Sequence, residues 1–201
     1  PIGCEMSQAF ARMGAQVTQV EQGDQIMGRE DLEVSEFMAW KFQSEGIRLL
    51  LKHRAKEVVI EGDKKHLVCS SVDGFVKIPF DEILVSVGRA PNTEGFGLRE
   101  LGVKISARGT VEVNELLQTN FPNIYCAGDV AGPYQFTHTA SHQAWYASVN
   151  ALFGHLKTFK ADYRVIPWTT YTDPEVARVG MNEKDAVASG IDYEVTRYDM
   201  D

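Results

Sequence analysis

The sequence has few of the features that mark disulfide-rich, metal-binding or membrane proteins. Its three cysteines, Cys4, Cys69 and Cys126, are odd in number and far apart, which excludes a disulfide framework and a CxxC metal or redox pair. No apolar run approaches the roughly 20 residues that cross a bilayer, and the N-terminus has no signal-peptide pattern. We therefore expect a cytoplasmic protein without a membrane partner.

Clusters of positive charge are also absent. The 201 residues include 20 Lys and Arg against 28 Asp and Glu, for a formal charge of −8, and no basic run interrupts this balance. This argues against a nucleic-acid partner. His138 and His142 are spaced i, i+4, but the sequence offers neither an HExxH pattern nor a third ligand, so we expect no metal site.

The apolar periodicity predicts an α/β protein. Helices are predicted at residues 2–13, 31–45, 137–153 and 183–189, with Asp31 placed to cap the second of them. Strands are predicted at residues 16–21, 47–51, 55–60, 66–71, 76–80, 83–87, 110–113, 123–127, 168–172, 176–180 and 193–198. Asp73-Gly74 is a strong hairpin signal. This order fits a parallel sheet with an attached antiparallel ribbon.

The first 21 residues match the second half of a dinucleotide-binding βαβ unit. Gly3 lies at a helix start, where a glycine lets the backbone approach a pyrophosphate, and Glu21 ends the following strand, where an acid accepts from a ribose hydroxyl. The alternatives are a glycine kept for tight packing and a solvated glutamate. Since the chain opens at Pro1 with no preceding strand, we expect an internal piece of a longer domain.

Four motifs in a fixed order carry a resemblance to a known family. They are Ile2-Gly3-Cys4-Glu5, the segment VGRAPN at 87–92, the segment TNFPNIYCAGD at 119–129, and YTDPEVA at 171–177 followed by Val179-Gly180. Together they resemble the pyridine nucleotide-disulfide oxidoreductases, which include lipoamide dehydrogenase, glutathione reductase and mercuric reductase. The resemblance covers essentially the whole chain.

The resemblance implies two cofactors, FAD and NAD(H). The aspartate of the third motif would bind the ribityl chain of FAD, and the helix start after it would offer backbone N–H groups to the flavin. NADP(H) is less favoured, because the carboxylate of Glu21 would repel a 2′-phosphate and Gln22-Gly23 supplies no Arg. The implied cofactor-binding residues are Gly3, Glu5, Glu21, Gly88, Arg89, Asp129, Gln135, Phe136, Thr137 and His138.

The resemblance also implies a division into domains. Residues 1–115 would form a Rossmann-like NAD(H)-binding domain with a β-meander and without its first strand. Residues 116–160 would be the C-terminal part of an FAD domain, and residues 161–201 the beginning of an α+β dimerisation domain. The full-length parent would then be a homodimer.

Three motifs that a working family member needs are not in this sequence: an N-terminal GxGxxG, a CxxxxC disulfide and a C-terminal His-Glu pair. We therefore place no catalytic residue in this chain. The prediction is a fragment of an FAD-dependent oxidoreductase that takes hydride from NAD(P)H and passes electrons to a disulfide or similar small-molecule acceptor. The alternatives are a redox-silent NAD(H)-binding module and a structural remnant.

Overall fold

A computed structural model describes residues 1–198, which divide into two compact units. The first unit combines residues 1–86 with the segment from residue 167 onward, and the second comprises residues 87–166. Compactness does not identify which segment binds a cofactor. The domain boundaries predicted at residues 115 and 160 therefore stay predictions.

The first unit begins with two helices that alternate with two parallel strands. In order they are α1 (Ile2–Arg12), β1 (Thr18–Val20), α2 (Leu32–Ser44) and β2 (Arg48–Leu50). β1 and β2 pair in parallel, which requires a crossover between them, and α2 supplies it. The core of this unit is formed by Cys4, Ile26, Met27, Met38, Phe42 and Ile47. The predicted helix and strand order of this segment is confirmed.

An antiparallel meander follows, made of β3 (Arg54–Glu61), β4 (Lys64–Ser71) and β5 (Gly74–Phe80). Ser71 pairs with Gly74, so the chain reverses through Val72-Asp73. The predicted hairpin is therefore confirmed, but its two turn residues are Val72-Asp73 and not Asp73-Gly74, which the sequence indicated. The C-terminal part of the same unit contains an antiparallel pair, β6 (Pro167–Thr170) and β7 (Val176–Val179).

The second unit contains a short helix, α3 (Leu98–Leu101), a long helix, α4 (Thr137–Phe153), and extended loops. The inward stripe of α4 is formed by Thr139, Gln143, Ala147 and Asn150, which recur at helical spacing. A further helix, α5 (Glu183–Ser189), belongs to the first unit. Over residues 1–198, no helix has both the length and the apolar character needed to span a bilayer.

Several predicted strands are wrong. Residues 83–87 and 193–198 form no strand, and residues 110–113 and 123–127 contribute only the single bridges Ile105↔Val111 and Gln118↔Tyr125. An apolar run becomes a strand only where a neighbouring strand supplies hydrogen bonds. In the part of the chain that the structure describes, the segment 83–87 has no such partner, and Val87 is 91% exposed. The short helix α3 was not predicted.

Asp31 does not cap the helix that the sequence predicted. It is the residue before α2, but its carboxylate makes no capping hydrogen bond there. Instead the carboxylate accepts from the backbone N–H of Glu183 at 3.3 Å and of Lys184 at 3.0 Å, at the start of α5. A carboxylate stabilises whichever helix N-terminus it reaches, and sequence distance does not reveal which one that is.

Candidate functional site

The three coenzyme residues predicted near the N-terminus all lie in the first unit. Gly3 is the second residue of α1, and a Cβ placed on it would lie 3.5 Å from the Cβ of Ser86. Glu5 lies in the first turn of α1, where its Oε1 accepts from the backbone N–H of Tyr171 at 2.9 Å. The helix start predicted to face a dinucleotide is thus tied to the segment between β6 and β7.

Glu21 follows the last residue of β1, at the carboxyl end of the parallel strand pair. Its Oε1 accepts from the backbone N–H of Gly23 at 2.7 Å, so the side chain is held by the turn that follows the strand. This hydrogen bond uses one of the two carboxylate oxygens. Ligands of open α/β sheets bind at this end of the strands, which is the position that a ribose-binding acid needs.

The second unit brings together three residues that are far apart in sequence. Arg89 places Nη1 at 3.2 Å from Oδ2 of Asp129, and the same nitrogen lies 3.3 Å from the carbonyl oxygen of Gln135. The Arg89 and Asp129 side chains are each about half exposed. All three residues line a cleft of about 700 Å³, whose wall also includes Tyr163.

The start of α4 borders this cluster. Phe136 is the residue before the helix, and no side chain in the described range caps the first turn. The ring of Phe136 stacks on His138 at 5.4 Å between centroids and on Tyr134 at 6.1 Å. These stacks fix the side chains of the entry segment, while the backbone N–H groups of Thr137 and His138 carry the positive end of the helix dipole.

Sequence reasoning missed Gln143, which is fully buried beneath the Asp129 turn. Its Oε1 accepts from the backbone N–H of Gly128 at 2.6 Å, and its Nε2 donates to the carbonyl of Gly132 at 2.6 Å and to the hydroxyl of Tyr163 at 2.9 Å. The side chain thus joins both ends of the turn that carries Asp129. A glutamine within the inward stripe of a helix was the signal that could have revealed it.

Of the three cysteines, Cys4 and Cys69 are buried and Cys126 is half-buried. Burial raises the pKa of Cys4, Cys69 and Cys126 above the ordinary thiol value, which keeps each one protonated near neutral pH. Cys4 in addition receives a hydrogen bond from Nε2 of Gln19 at 3.3 Å. Among the described residues, no group of three or more His, Cys, Asp or Glu side chains is placed to hold a metal ion.

The residues of the second unit fit a flavin-type ligand. The carboxylate of Asp129 is partly exposed and has a single long ion pair, so it retains acceptor capacity for sugar hydroxyls. The first turn of α4 has no side-chain cap and contains Thr139, whose buried hydroxyl has no hydrogen-bond partner. In the first unit, the free oxygen of Glu21 fits a ribose hydroxyl.

Comparison with known proteins identifies the family. The model of the pyridine nucleotide-disulphide oxidoreductase family matches residues 1–144, and the model of the dimerisation domain of the same family matches residues 166–201. The chain belongs to this family. The resemblance that the four motifs indicated is thereby confirmed.

Individual relatives agree with this assignment. A dihydrolipoyl dehydrogenase of Chlamydia muridarum is 36% identical over 98% of the chain, which covers 41% of that protein. A mercuric reductase of Acidithiobacillus ferrooxidans is 33% identical over the whole chain, which covers 35% of that protein. The chain therefore spans about two fifths of the length of its relatives.

Solved structures match the fold. The flavoprotein disulfide reductase RclA of Escherichia coli, solved as a Cu(II) complex, aligns with a TM-score of 0.84 and 27% identity over 95% of this chain and 43% of its own. LpdA of Mycobacterium tuberculosis aligns with a TM-score of 0.82 and 27% identity over 94% of this chain and 40% of its own. The predicted α/β fold with a β-meander and the beginning of a dimerisation domain is therefore confirmed.

Proposed function

We propose that this chain forms the coenzyme-binding segment and one flavin-contacting segment of an FAD- and NAD(H)-dependent oxidoreductase. The observation that supports this most directly is the cluster of Arg89, Asp129 and Gln135 beside the uncapped start of α4. An acid in a cleft, held by one arginine and adjacent to free helix N–H groups, suits a ligand that presents sugar hydroxyls and a polarised ring carbonyl.

Each member of the cluster has a distinct task in this proposal. Asp129 accepts from hydroxyl groups of the ribityl chain. Arg89 holds that carboxylate in place and also donates to the Gln135 carbonyl, which fixes the entry to α4. The backbone N–H groups of Thr137 and His138 stabilise negative charge on the ring system, so the side chains of those two residues tolerate substitution.

The coenzyme part of the proposal rests on Glu21, with Gly3 and Glu5 of the same unit as further contacts. Gly88, in the second unit, is proposed separately as a cofactor contact. One oxygen of Glu21 is held by Gly23, and the other accepts from a ribose 2′-hydroxyl. A 2′-phosphate would be repelled by the carboxylate, which supports NAD(H) over NADP(H). A left-handed backbone at Gly88, with φ of +132°, admits close approach of a ligand where a side chain would be strained.

Bound FAD would supply two-electron chemistry between NADH and a disulfide or a similar small-molecule acceptor. The match of residues 166–201 to a dimerisation domain supports a homodimer as the functional assembly. A cytoplasmic location is part of the proposal.

Two titrations test the proposal. FAD binding is followed by quenching of flavin fluorescence, and NADH and NADPH binding by calorimetry. Loss of a charge-assisted hydrogen bond in Asp129→Asn is expected to weaken FAD binding about tenfold or more. Asp162→Asn is the matched control, because Asp162 also pairs with an arginine, Arg164, and is similarly exposed. Equal FAD affinity in the two variants would contradict the assignment.

For the coenzyme, Glu21→Ala is expected to weaken NADH binding, because it removes the carboxylate that accepts from the ribose 2′-hydroxyl. It should also reduce the preference for NADH over NADPH, because the charge that repels a 2′-phosphate is lost. Glu33→Gln, which removes charge from an exposed glutamate of the same unit, should leave both affinities unchanged. Absence of NADH binding by the unaltered chain would overturn the coenzyme assignment, and retained FAD binding alone would favour a purely flavin-contacting segment.

A further inference from the structure

The loop at residues 22–31, which follows Glu21, is held at its far end by side chains from β6 and β7. Glu30 in this loop is buried, with 9% of its side chain exposed. Its Oε1 accepts from Nε1 of Trp168, which lies 138 residues away in sequence, at 2.9 Å. A partner of the buried Glu30 carboxylate in loop 22–31 thus comes from the C-terminal strand pair, β6 and β7.

Arg178 on β7 completes this contact. Its guanidinium carbon lies 4.5 Å from the centroid of the Trp168 ring, and its Nη1 donates to the carbonyl of Arg29 at 2.9 Å and lies 3.9 Å from Oε2 of Glu30. Only 9% of the Arg178 side chain is exposed. A buried carboxylate that loses its cation and its donor is strongly disfavoured, so Glu30, Trp168 and Arg178, here named the anchor cluster, act as a unit.

Further hydrogen bonds reinforce the same attachment. Asn182 and Lys184 donate to the carbonyls of Arg29 and Gly28 at 3.0 and 2.7 Å. Asp31, the last residue of the loop, accepts from the first N–H groups of α5. Every residue from 28 to 31 is therefore bonded to the β7 and α5 segment.

The attachment reaches Glu21 through the loop itself. Gln25 donates to the carbonyl of Glu30 at 3.3 Å and to Oγ of Ser35 at 2.8 Å. Ile26 and Met27 are buried in the core. At the near end, Gly23 donates to Oε1 of Glu21. Between the anchor cluster and Glu21, the loop is thus held by the hydrogen bonds of Gly23 and Gln25 and by the burial of Ile26 and Met27.

We propose that Trp168 and Arg178 are positioning residues for the coenzyme: by fixing loop 22–31 they hold the Glu21 carboxylate toward the ribose. This inference rests on the proposed role of Glu21. In this inference, the start of the dimerisation segment contributes to coenzyme affinity in addition to its role in assembly. A purely structural role would lower the stability of the chain and leave the affinity of the folded chain for NADH unchanged.

Two variants of the whole chain separate these roles. Trp168→Phe keeps an aromatic ring at this position but removes the indole N–H that donates to Glu30, together with part of the ring area. Arg178→Met keeps most of the side-chain volume and removes the cation. Arg197→Ala is the matched control, because Arg197 also joins the C-terminal segment to α2 through Glu33 but bonds to no residue of loop 22–31. Circular dichroism at a temperature well below the thermal midpoint verifies that each variant is folded.

The readouts are the NADH dissociation constant from calorimetry and hydrogen exchange of the loop amides. We expect both variants to weaken NADH binding about fivefold or more, a typical coupling between linked sites, and to accelerate exchange at residues 22–31. Arg197→Ala should change neither. NADH binding by the unaltered chain together with unchanged affinity in both variants would overturn this inference alone. Absence of binding by the unaltered chain would overturn the proposed function, and the inference with it.

Discussion

Replacing Gln143 with leucine should loosen the turn that carries Asp129. Gln143 is the only described side chain that bonds to both ends of this turn, through the N–H of Gly128 and the carbonyl of Gly132. Leucine is similar in volume, so packing is largely kept. The change therefore isolates the hydrogen bonds from the volume that the side chain fills.

The magnitude follows from the groups left without partners. A buried polar group that loses its partner costs about 1 to 3 kcal/mol. Gly132 is buried and Gly128 is half-buried, so the two backbone groups together predict a loss of about 2 to 5 kcal/mol in the free energy of unfolding of the second unit. The hydroxyl of Tyr163 is a third lost partner, but it can rotate toward solvent.

The matched variant Gln143→Glu keeps the shape and adds a titratable group. Burial disfavours a carboxylate, so the pKa of this glutamate in the folded chain should lie above its unfolded value of about 4.3. Relative to the unaltered chain, the stability of this variant should then be greatest below about pH 4.3 and fall as the pH rises through the folded pKa. The leucine variant has no such group and should show no added pH dependence.

Native-state hydrogen exchange of residues 126–132, read by mass spectrometry of peptides, measures the effect locally. The leucine variant should exchange these amides at least tenfold faster, since 1.4 kcal/mol corresponds to one factor of ten. If the Gly128 amide stays as protected as in the unaltered chain, the bond from Gln143 does not hold the turn, and the argument fails.

Three further changes have expected outcomes. The pKa of Glu45 is lowered to about 2, chiefly by its hydrogen bond from Arg12. The unaltered chain should therefore be more stable than Glu45→Gln above about pH 4.5, and this difference should vanish as the pH falls toward 2. Urea unfolding at pH 6, 4 and 2.5 measures the difference. Gly88→Ala should lower the free energy of unfolding by about 1 kcal/mol or more through backbone strain at φ of +132°. Nothing lies within 4 Å of an added Cβ, so a steric clash does not contribute. A lowered urea midpoint would show the effect. Lys77→Ala breaks an ion pair with Glu61 in which both side chains are about half exposed, and the thermal midpoint should not move.

Elements with strong local patterns were predictable from the sequence. The helices α1, α2 and α4 have apolar spacing that fixes one face, and the meander has a hairpin signal at Asp73-Gly74. Local information of this kind is enough because a helix satisfies its own backbone. Residues 83–87 are apolar, and residues 193–198 combine β-branched or aromatic residues with polar ones. Whether such segments become strands depends on partners that no local pattern specifies.

The same division applies to the candidate site. Arg89, Asp129 and Gln135 belong to recognisable motifs, and the structure brings these three together. The anchor cluster was not predictable, because Glu30 and Trp168 are 138 residues apart and neither lies in a cofactor motif. A tryptophan outside any motif is most simply interpreted as core or interface packing. That interpretation accounts for the ring of Trp168 but not for the hydrogen bond that its N–H donates to Glu30.

The buried side-chain amides of this chain suggest a rule that could have found part of what was missed. Gln8, Gln143 and Asn150 all lie on inward faces of helices and are almost fully buried. Each bonds a loop through both a backbone N–H and a backbone carbonyl: Gln8 bonds Asp173, Gln143 bonds Gly128 and Gly132, and Asn150 bonds Phe159. A carboxamide suits this task because it carries one donor end and one acceptor end and no charge to desolvate.

It follows that an amide within the buried stripe of a helix predicts a nearby loop whose backbone it clamps. Two of the three loops that these amides bond are linked to the candidate site. The turn bonded by Gln143 carries Asp129, and the segment at 171–173 bonded by Gln8 donates a backbone N–H to Glu5. Since a buried donor or acceptor must find a partner, the amide marks where a loop approaches the helix even though it does not say which loop. Substituting Gln8 or Asn150 by leucine should therefore raise exchange in the clamped loop more than in the helix itself, whereas a substitution that only opens a cavity would raise exchange in the helix and its packed neighbours together.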